Sequence, residues 1–227
     1  MPDALTYACT MKQKVSSCES FFPATEGCWF RGNFAAALLA GGRSIRMGRD
    51  KALIAVDWEG ETMPLRIRQL RVLESLQPKE LFYSGPARVD DLRGAKIIVD
   101  QWSAAGPLNG IASCLQQTAS DLLLCLAVDV ACIEAPLLLK LLGKCRAGQG
   151  VVPRIGEQYE PLVAVYPRRS RRLAINQIEE RHLRLQDFVR RLLREHLIVE
   201  YSVLDEEIPL FANWNTPGDV GQGETRH

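Results

Sequence analysis

The sequence predicts one α/β domain in three layers, a mostly parallel sheet with helices on both faces. Three observations carry that expectation. Short apolar runs of strand length alternate with segments whose leucines recur at helical intervals. One of the runs, Leu122 to Val128, is apolar throughout, as a strand covered on both faces must be. And 227 residues, 47% of them hydrophobic and 24% charged, suffice to bury one sizeable core.

Phe34 to Ala40 forms the first apolar run and ends at Gly41-Gly42, as a buried strand does when it gives way to a loop. A polar, Arg-rich stretch follows, and then Leu65, Leu70, Leu73 and Leu76 mark an amphipathic helix with Arg and Gln between them. Strands are predicted over Leu81 to Ser84 and Lys96 to Asp100, separated by Gly85-Pro86 and Gly94. Gly106-Pro107 opens a helix through Thr118, with Leu108, Ile111, Ala112 and Leu115 on one face and Pro107 suited to its first turn. Leu122 to Val128 is then a strand ending at Asp129, and Ala135 to Cys145 a Leu-rich helix. Gly150 to Arg154 and Pro161 to Tyr166 read as strands, Ser170 to Glu180 and Leu185 to Glu195 as helices, and Leu197 to Leu204 as an edge strand. The strands beginning at Phe34 and Leu122 are expected at the centre. Residues 1 to 31 read as a loosely ordered arm or an extension upstream of the true start, 32 to 220 as the domain, and 221 to 227 as a frayed tail.

The 28 Lys and Arg nearly cancel the 27 Asp and Glu. Such a balance argues against an electrostatic grip on nucleic acid or a membrane surface, so any anionic ligand must meet a local cluster. No apolar run approaches the roughly 20 residues of a membrane span, and the first thirty residues lack a secretory pattern. A soluble, cytoplasmic protein is the expectation. The seven cysteines show no C-x₂-C pair and no His at a ligand interval, which speaks against a zinc site or a complete disulfide framework. Cys114, Cys125 and Cys145 read as small buried hydrophobes, while Cys9, Cys18 and Cys28 lie in the leader. His182 and His196 have no partner pattern and read as surface residues.

Chemistry concentrates in Leu39-Ala40-Gly41-Gly42-Arg43-Ser44-Ile45-Arg46-Met47-Gly48-Arg49-Asp50-Lys51. Glycines directly after a buried strand let the backbone approach a ligand and turn successive N–H groups toward an anion. Arg46 and Lys51 add positive charge and Ser44 a further donor, the combination a nucleoside triphosphate needs. Neither G-x-x-x-x-G-K-[ST] nor G-x-G-x-x-G is present, so the loop is neither a P-loop nor a dinucleotide fingerprint.

That string resembles the opening motif of the molybdenum cofactor guanylyltransferases, nucleotidyltransferases with a Rossmann-like nucleotide-diphospho-sugar transferase fold. Gly106-Pro107-Leu108-x-Gly110-Ile111, Asp129 at a strand end, Pro161-Leu162-x-Ala164-x-Tyr166 and Asn213-Trp214-Asn215-Thr216-Pro217-Gly218-Asp219 are similar to further motifs in the same order. The resemblance implies a Mg²⁺-dependent transfer of GMP from GTP to molybdenum-bound molybdopterin, with release of pyrophosphate. It implies Asp129 as metal ligand, Arg46, Lys51 and Asp129 as catalytic residues, and Leu39, Ala40, Gly41, Gly42, Ser44, Ser84 and Asp100 as further nucleotide contacts. Ala-Gly-Gly, where related cytidylyltransferases carry Ala-Ala-Gly, favours GTP over CTP. Asn213 and Asn215 bind the pterin, the metal or only their own turn. Tyr166 and Trp214 read as core or wall residues, and Arg168, Arg169, Arg171, Arg172, Arg190, Arg191 and Arg194 as a solvated face or a greeting surface for the pterin phosphate or a partner. Acceptor molybdoenzymes or their chaperones would be the protein partners.

Two departures stand out. The family's Pro-Cys-Asp-x-Pro is here Ala127-Val128-Asp129-Val130-Ala131, so a looser loop after Asp129 is expected, and Ser84-Gly85 stands where the guanylyltransferase often has Asn. The acceptor or the base could therefore differ, as in a molybdopterin cytidylyltransferase or a sugar-phosphate nucleotidyltransferase. A non-catalytic module that holds the cofactor for delivery is the third reading.

Overall fold

The structure, a computed structural model, describes residues 33–41, 51–86, 89–102 and 106–213. Its centre is the strand β1 (Phe34–Leu39), buried along its whole length. Three consecutive alanines favour helix by intrinsic propensity, but the run is too short to offset the cost of helix nucleation and lies between two strands that complete its hydrogen bonds. A 3-10 turn, Lys51–Leu53, leads to the hairpin β2 (Ala55–Trp58) and β3 (Glu61–Pro64) and on to helix α1 (Leu65–Ser75). Next come β4 (Glu80–Ser84), β5 (Lys96–Ile98), α2 (Gly106–Gln117), β6 (Leu122–Ala127), α3 (Ala135–Lys144) and β7 (Gly150–Ile155). The described residues finish with β8 (Gln158–Tyr159), β9 (Val163–Pro167), α4 (Arg171–Glu179), α5 (Leu185–Arg194), β10 (Ile198–Ser202) and a 3-10 helix, Asp205–Phe211.

The main sheet runs β10-β7-β9-β6-β1-β4-β5, with β8 paired to β7. As expected, the strands beginning at Phe34 and Leu122 are central. Side chains alternate between faces: Phe34, Ala36 and Leu38 pack with α1 and α3, whereas Ala35, Ala37 and Leu39 pack with α2, α4 and α5. The three-layer, mostly parallel α/β architecture is therefore present.

Two strands depart from the parallel set: the short β8, which pairs antiparallel with β7, and β9. β9 runs antiparallel to both β6 and β7. Residues 156–162 are too few for a parallel crossover, which takes a dozen or more, so the chain has to double back. The hairpin β2–β3 was hidden in the stretch read as polar and Arg-rich. Its turn is Glu59-Gly60, both at positive φ, an uncommon pair for the tight turns in which Asn-Gly dominates.

Helix α1 corrects the amphipathic reading. Arg66, Arg68 and Gln69, among the polar residues between its leucines, are 9%, 6% and 0% exposed. The hairpin covers this face, with the Arg68 guanidinium over the Trp58 ring at 5.8 Å. By contrast, Arg168, Arg169, Arg171, Arg172, Arg190 and Arg194 are exposed, and Arg191 pairs with Glu180 and Glu195. His182 and His196 are exposed, and Tyr166 is buried with its hydroxyl donating to the Pro161 carbonyl at 2.6 Å. Cys114, Cys125 and Cys145 are buried thiols, and burial pushes Cys114 and Cys145 up to about 12. Among the described residues no helix is long and apolar enough to cross a membrane. The leader with Cys9, Cys18 and Cys28, Trp214 and the tail lie outside the described residues.

Candidate functional site

Register brings the site together. Leu39 lies level with Ser84 on one side and Ala127 on the other, and Ser84 lies level with Ile98. The segments after these residues, 40–41, 85–86, 99–100 and 128–129, therefore emerge at one rim. The chain leaves β1 through α1 toward β4 and later returns through α2 to β6 on the other side of β1, passing over opposite faces of the sheet. Such a switch point opens a crevice at the carboxyl ends of the strands. Backbone bonds fix its floor: the Ala40 N–H donates to the Ser84 carbonyl at 2.7 Å, and the Val128 N–H to the Leu39 carbonyl at 3.0 Å.

Two acids flank that floor. On the β6 side, Asp129 Oδ2 accepts from Lys51 Nζ at 3.2 Å, the two side chains being 29% and 17% exposed. Lys51 reaches it from the 3-10 turn anchored by buried Ala52. On the β5 side, the buried Ser84 hydroxyl donates to Asp100 Oδ1 at 3.4 Å. Partial desolvation pushes the Asp100 carboxyl above its ordinary value, opposed by that hydroxyl. Asp100 Oδ2 also faces Gly41, 3.7 Å from where a Cβ would stand. Leu39, Ala40, Gly41, Lys51, Ser84, Asp100 and Asp129 thus share one rim, and Gly42, Ser44, Arg46 and Asn215 lie outside the described residues.

Asn213 arrives at the same rim by a separate route. Glu207, in the 3-10 helix before it, accepts from the Tyr201 hydroxyl at 2.7 Å, from Lys140 Nζ at 2.7 Å and from the Leu204 N–H at 3.0 Å. This ties the segment to α3 and β10, and Asn213 then forms an antiparallel bridge with Val130, next to Asp129.

The supporting residues escaped the sequence reading. Gln69, fully buried, donates its side-chain N–H to the Val130 carbonyl at 2.6 Å. With the Asn213 bridge it holds the loop after Asp129, which lacks the proline of the related motif. Its signal was a glutamine four residues after Leu65 on the apolar stripe of a helix, where a polar residue needs a partner. Gln69→Leu leaves the Val130 carbonyl without this donor. It should cost about 1–3 kcal/mol in a denaturant melt and lower turnover about tenfold with nucleotide binding little changed.

Asn109 and Ser113, one turn apart on α2, do the same for the chain after Asp100. The Gln101 N–H donates to Ser113 Oγ at 3.3 Å, the Trp102 N–H donates to Asn109 Oδ1 at 3.3 Å, and Asn109 Nδ2 returns a bond to the Trp102 carbonyl. Gly110 between them lets the helix close on the sheet: a Cβ there would stand 2.7 Å from Ser84 Oγ and 3.3 Å from Leu39 Cδ2. Gly110→Ala must displace the Ser84 hydroxyl from Asp100. The expected result is about 1–3 kcal/mol of lost stability and weaker nucleotide binding, read by calorimetry.

Among the described residues no group of three His, Cys, Asp or Glu could hold a metal ion alone. The rim does suit a hard cation that shares its shell with a ligand. Asp129 offers one carboxylate beside the crevice, and magnesium is commonly held by one or two carboxylates with phosphate oxygens and water completing its octahedron.

Against known proteins, residues 36–199 match the family model described as a MobA-like NTP transferase domain. The protein of Opitutus terrae named "probable molybdenum cofactor guanylyltransferase" is 35% identical over 198 residues, covering 85% of this chain and 96% of that protein. Molybdopterin-guanine dinucleotide biosynthesis protein A from Archaeoglobus fulgidus superposes with a TM-score of 0.62 at 21% identity, covering 84% of this chain and 96% of the other. The 2-C-methyl-D-erythritol 4-phosphate cytidylyltransferase of Thermus thermophilus superposes with a TM-score of 0.57 at 13% identity, covering 83% and 96%. The two structural likenesses identify the nucleotide-diphospho-sugar transferase fold.

Proposed function

Because the chain belongs to the MobA-like NTP transferases, within the molybdenum cofactor guanylyltransferase family of nucleotidyltransferases, we propose that it transfers GMP from GTP to molybdenum-bound molybdopterin and releases pyrophosphate. The observation that carries this reading is the Lys51–Asp129 pair at the rim where β1 and β6 end, 3.2 Å apart beside a glycine floor. A cation and a carboxylate side by side match a triphosphate with its metal better than either does alone.

Each residue takes a part its position permits. The Ala40-Gly41 backbone and Asp100 face the base. A guanine edge presents N–H donors that a carboxylate accepts, and cytosine lacks that paired donor edge. Ser84 holds the Asp100 carboxylate in place. Lys51, with Arg46, neutralises charge on the phosphates as an oxygen of the acceptor's phosphate attacks the α-phosphorus and the bond to pyrophosphate breaks. Asp129 would hold magnesium, which when bound would supply further neutralisation of the phosphate oxygens. The chain contributes positioning and charge, with no covalent intermediate. Asn213, beside Val130, faces the acceptor side.

The deciding experiment incubates the purified protein with Mg²⁺, GTP and molybdenum-bound molybdopterin and assays dinucleotide and pyrophosphate. Both should form in equal amounts. Absence of dinucleotide, or a larger melting shift with CTP or UTP than with GTP, would remove the guanylyl assignment.

A further inference from the structure

Beside the site, on the α1 face of the sheet, lies a cavity of about 210 Å³ lined by Ala52, Leu53, Arg66, Tyr83, Pro86, Val89 and Asp90. Its position follows from the fold. Ala52 and Leu53 directly follow Lys51, Pro86 follows the Ser84-Gly85 strand end, and the Leu65 N–H donates to the Ile54 carbonyl at 2.7 Å, fixing the first turn of α1 against the 3-10 turn. Arg66 enters the cavity wall from that first turn.

Arg66 is 9% exposed, and its Nε and Nη1 have no hydrogen-bond partner among the described residues. Its Nη2 donates to the Asp90 carbonyl at 3.4 Å, a long bond. No carboxylate pairs with it among the described residues, and Asp90, exposed at the cavity edge, meets it through its backbone carbonyl. Contrast Arg68, two residues on, whose Nη1 donates to Gln69 at 2.8 Å and whose guanidinium carbon lies 5.8 Å from the centroid of the Trp58 ring. A buried guanidinium with two nitrogens unpartnered among the described residues is costly, since desolvating a cation is offset only by a well-placed counter-charge. A guanidinium edge is also the shape that takes two oxygens of a phosphate.

We infer that Arg66 is a phosphate-binding residue of this cavity, taking the terminal phosphates of the nucleoside triphosphate or the pyrophosphate that leaves. The inference rests on the nucleotidyl-transfer reading. Lys51 directly precedes Ala52 and Leu53, which line the cavity together with Arg66, so a polyphosphate at Lys51 has a second cation near it. Binding energy for the leaving group, set apart from the reacting α-phosphorus, is a means of orienting the tail in line.

The test measures binding of GTP, GMP and pyrophosphate, each with Mg²⁺, by calorimetry on wild type, Arg66→Met and Arg66→Lys. Arg66→Met should weaken GTP, pyrophosphate or both by about tenfold or more and leave GMP within about twofold, with Arg66→Lys recovering part of the loss. Loss for GTP alone assigns the site to the substrate's tail, loss for pyrophosphate alone to the product. Without ligand, Arg66→Met should melt at or above the wild-type temperature, because an unpaired buried charge has gone. Unchanged GTP and pyrophosphate affinity overturns the inference, as does an equal loss for GMP. A wild-type protein that binds pyrophosphate through Arg66 but not GTP counts against the guanylyl reading alone, and one that binds neither removes both.

Discussion

Asp129→Asn should lower nucleotidyl transfer by about 10³ or more while leaving the fold intact. Asparagine keeps the size of the side chain and one acceptor oxygen, but loses the formal charge that a divalent cation requires. The position offers little to compensate, since the described residues hold no group of three acidic or other metal-binding side chains. The structural cost is small by comparison. Asp129 is 29% exposed and its ion-pair partner Lys51 17% exposed, so solvent screens the pair and its loss amounts to about 1 kcal/mol. A thermal melt should therefore move by a few degrees at most for a domain of this size, roughly 2–4 °C. The decisive readout is magnesium dependence: wild-type turnover should rise and saturate with Mg²⁺ and vanish with chelator, whereas the asparagine variant should stay flat at its residual rate. An undiminished rate in the variant would remove Asp129 as the metal ligand.

How much of this could be read before the structure depends on which interactions are local. Phe34–Leu39 and Leu122–Ala127 were legible because a strand buried on both faces has to be apolar throughout, and no other run in the chain is so continuous. Gly41 was legible as a rim residue because a glycine straight after a buried strand permits close backbone approach, and the rest of that loop lies outside the described residues. Asp129, as an isolated acid after a strand, is an ordinary loop residue by composition, and only the ordered motifs around it gave it weight. The direction of β9 was implicit in the shortness of residues 156–162, a length constraint that apolar patterning does not encode. Arg66 and Arg68 failed for the opposite reason: binary patterning assigns Arg to solvent, and only tertiary structure shows that the hairpin and the cavity cover them, whereas Gln69 lay on the apolar stripe but nothing local named its partner. The misread residues of α1 are those that support or adjoin the site. A helix whose polar residues are buried beside the candidate rim is a place where local patterning yields to tertiary context.

Lys51→Met carries the second large effect, and it has two signs. Turnover should fall by about 10² or more, because a fixed cation next to the departing phosphates is lost and water is a poor replacement in a partly buried position. Metal binding without nucleotide should change the other way. In the ligand-free protein the Lys51 ammonium sits 3.2 Å from Asp129 Oδ2, the oxygen a metal would take, so the two cations compete for one carboxylate. Removing the ammonium should tighten Mn²⁺ binding to the nucleotide-free protein by about three- to tenfold, as a partly screened charge contact worth about 1 kcal/mol is withdrawn. Adding GTP should reverse the order, since the phosphates would draw Lys51 away from Asp129 in wild type and leave the metal its place. Mn²⁺ titration followed by electron paramagnetic resonance, with and without GTP, separates these states. Turnover within about twofold of wild type would show that Lys51 is only a counter-ion for Asp129. An unchanged Mn²⁺ affinity would show that the ion pair and the metal do not share that oxygen.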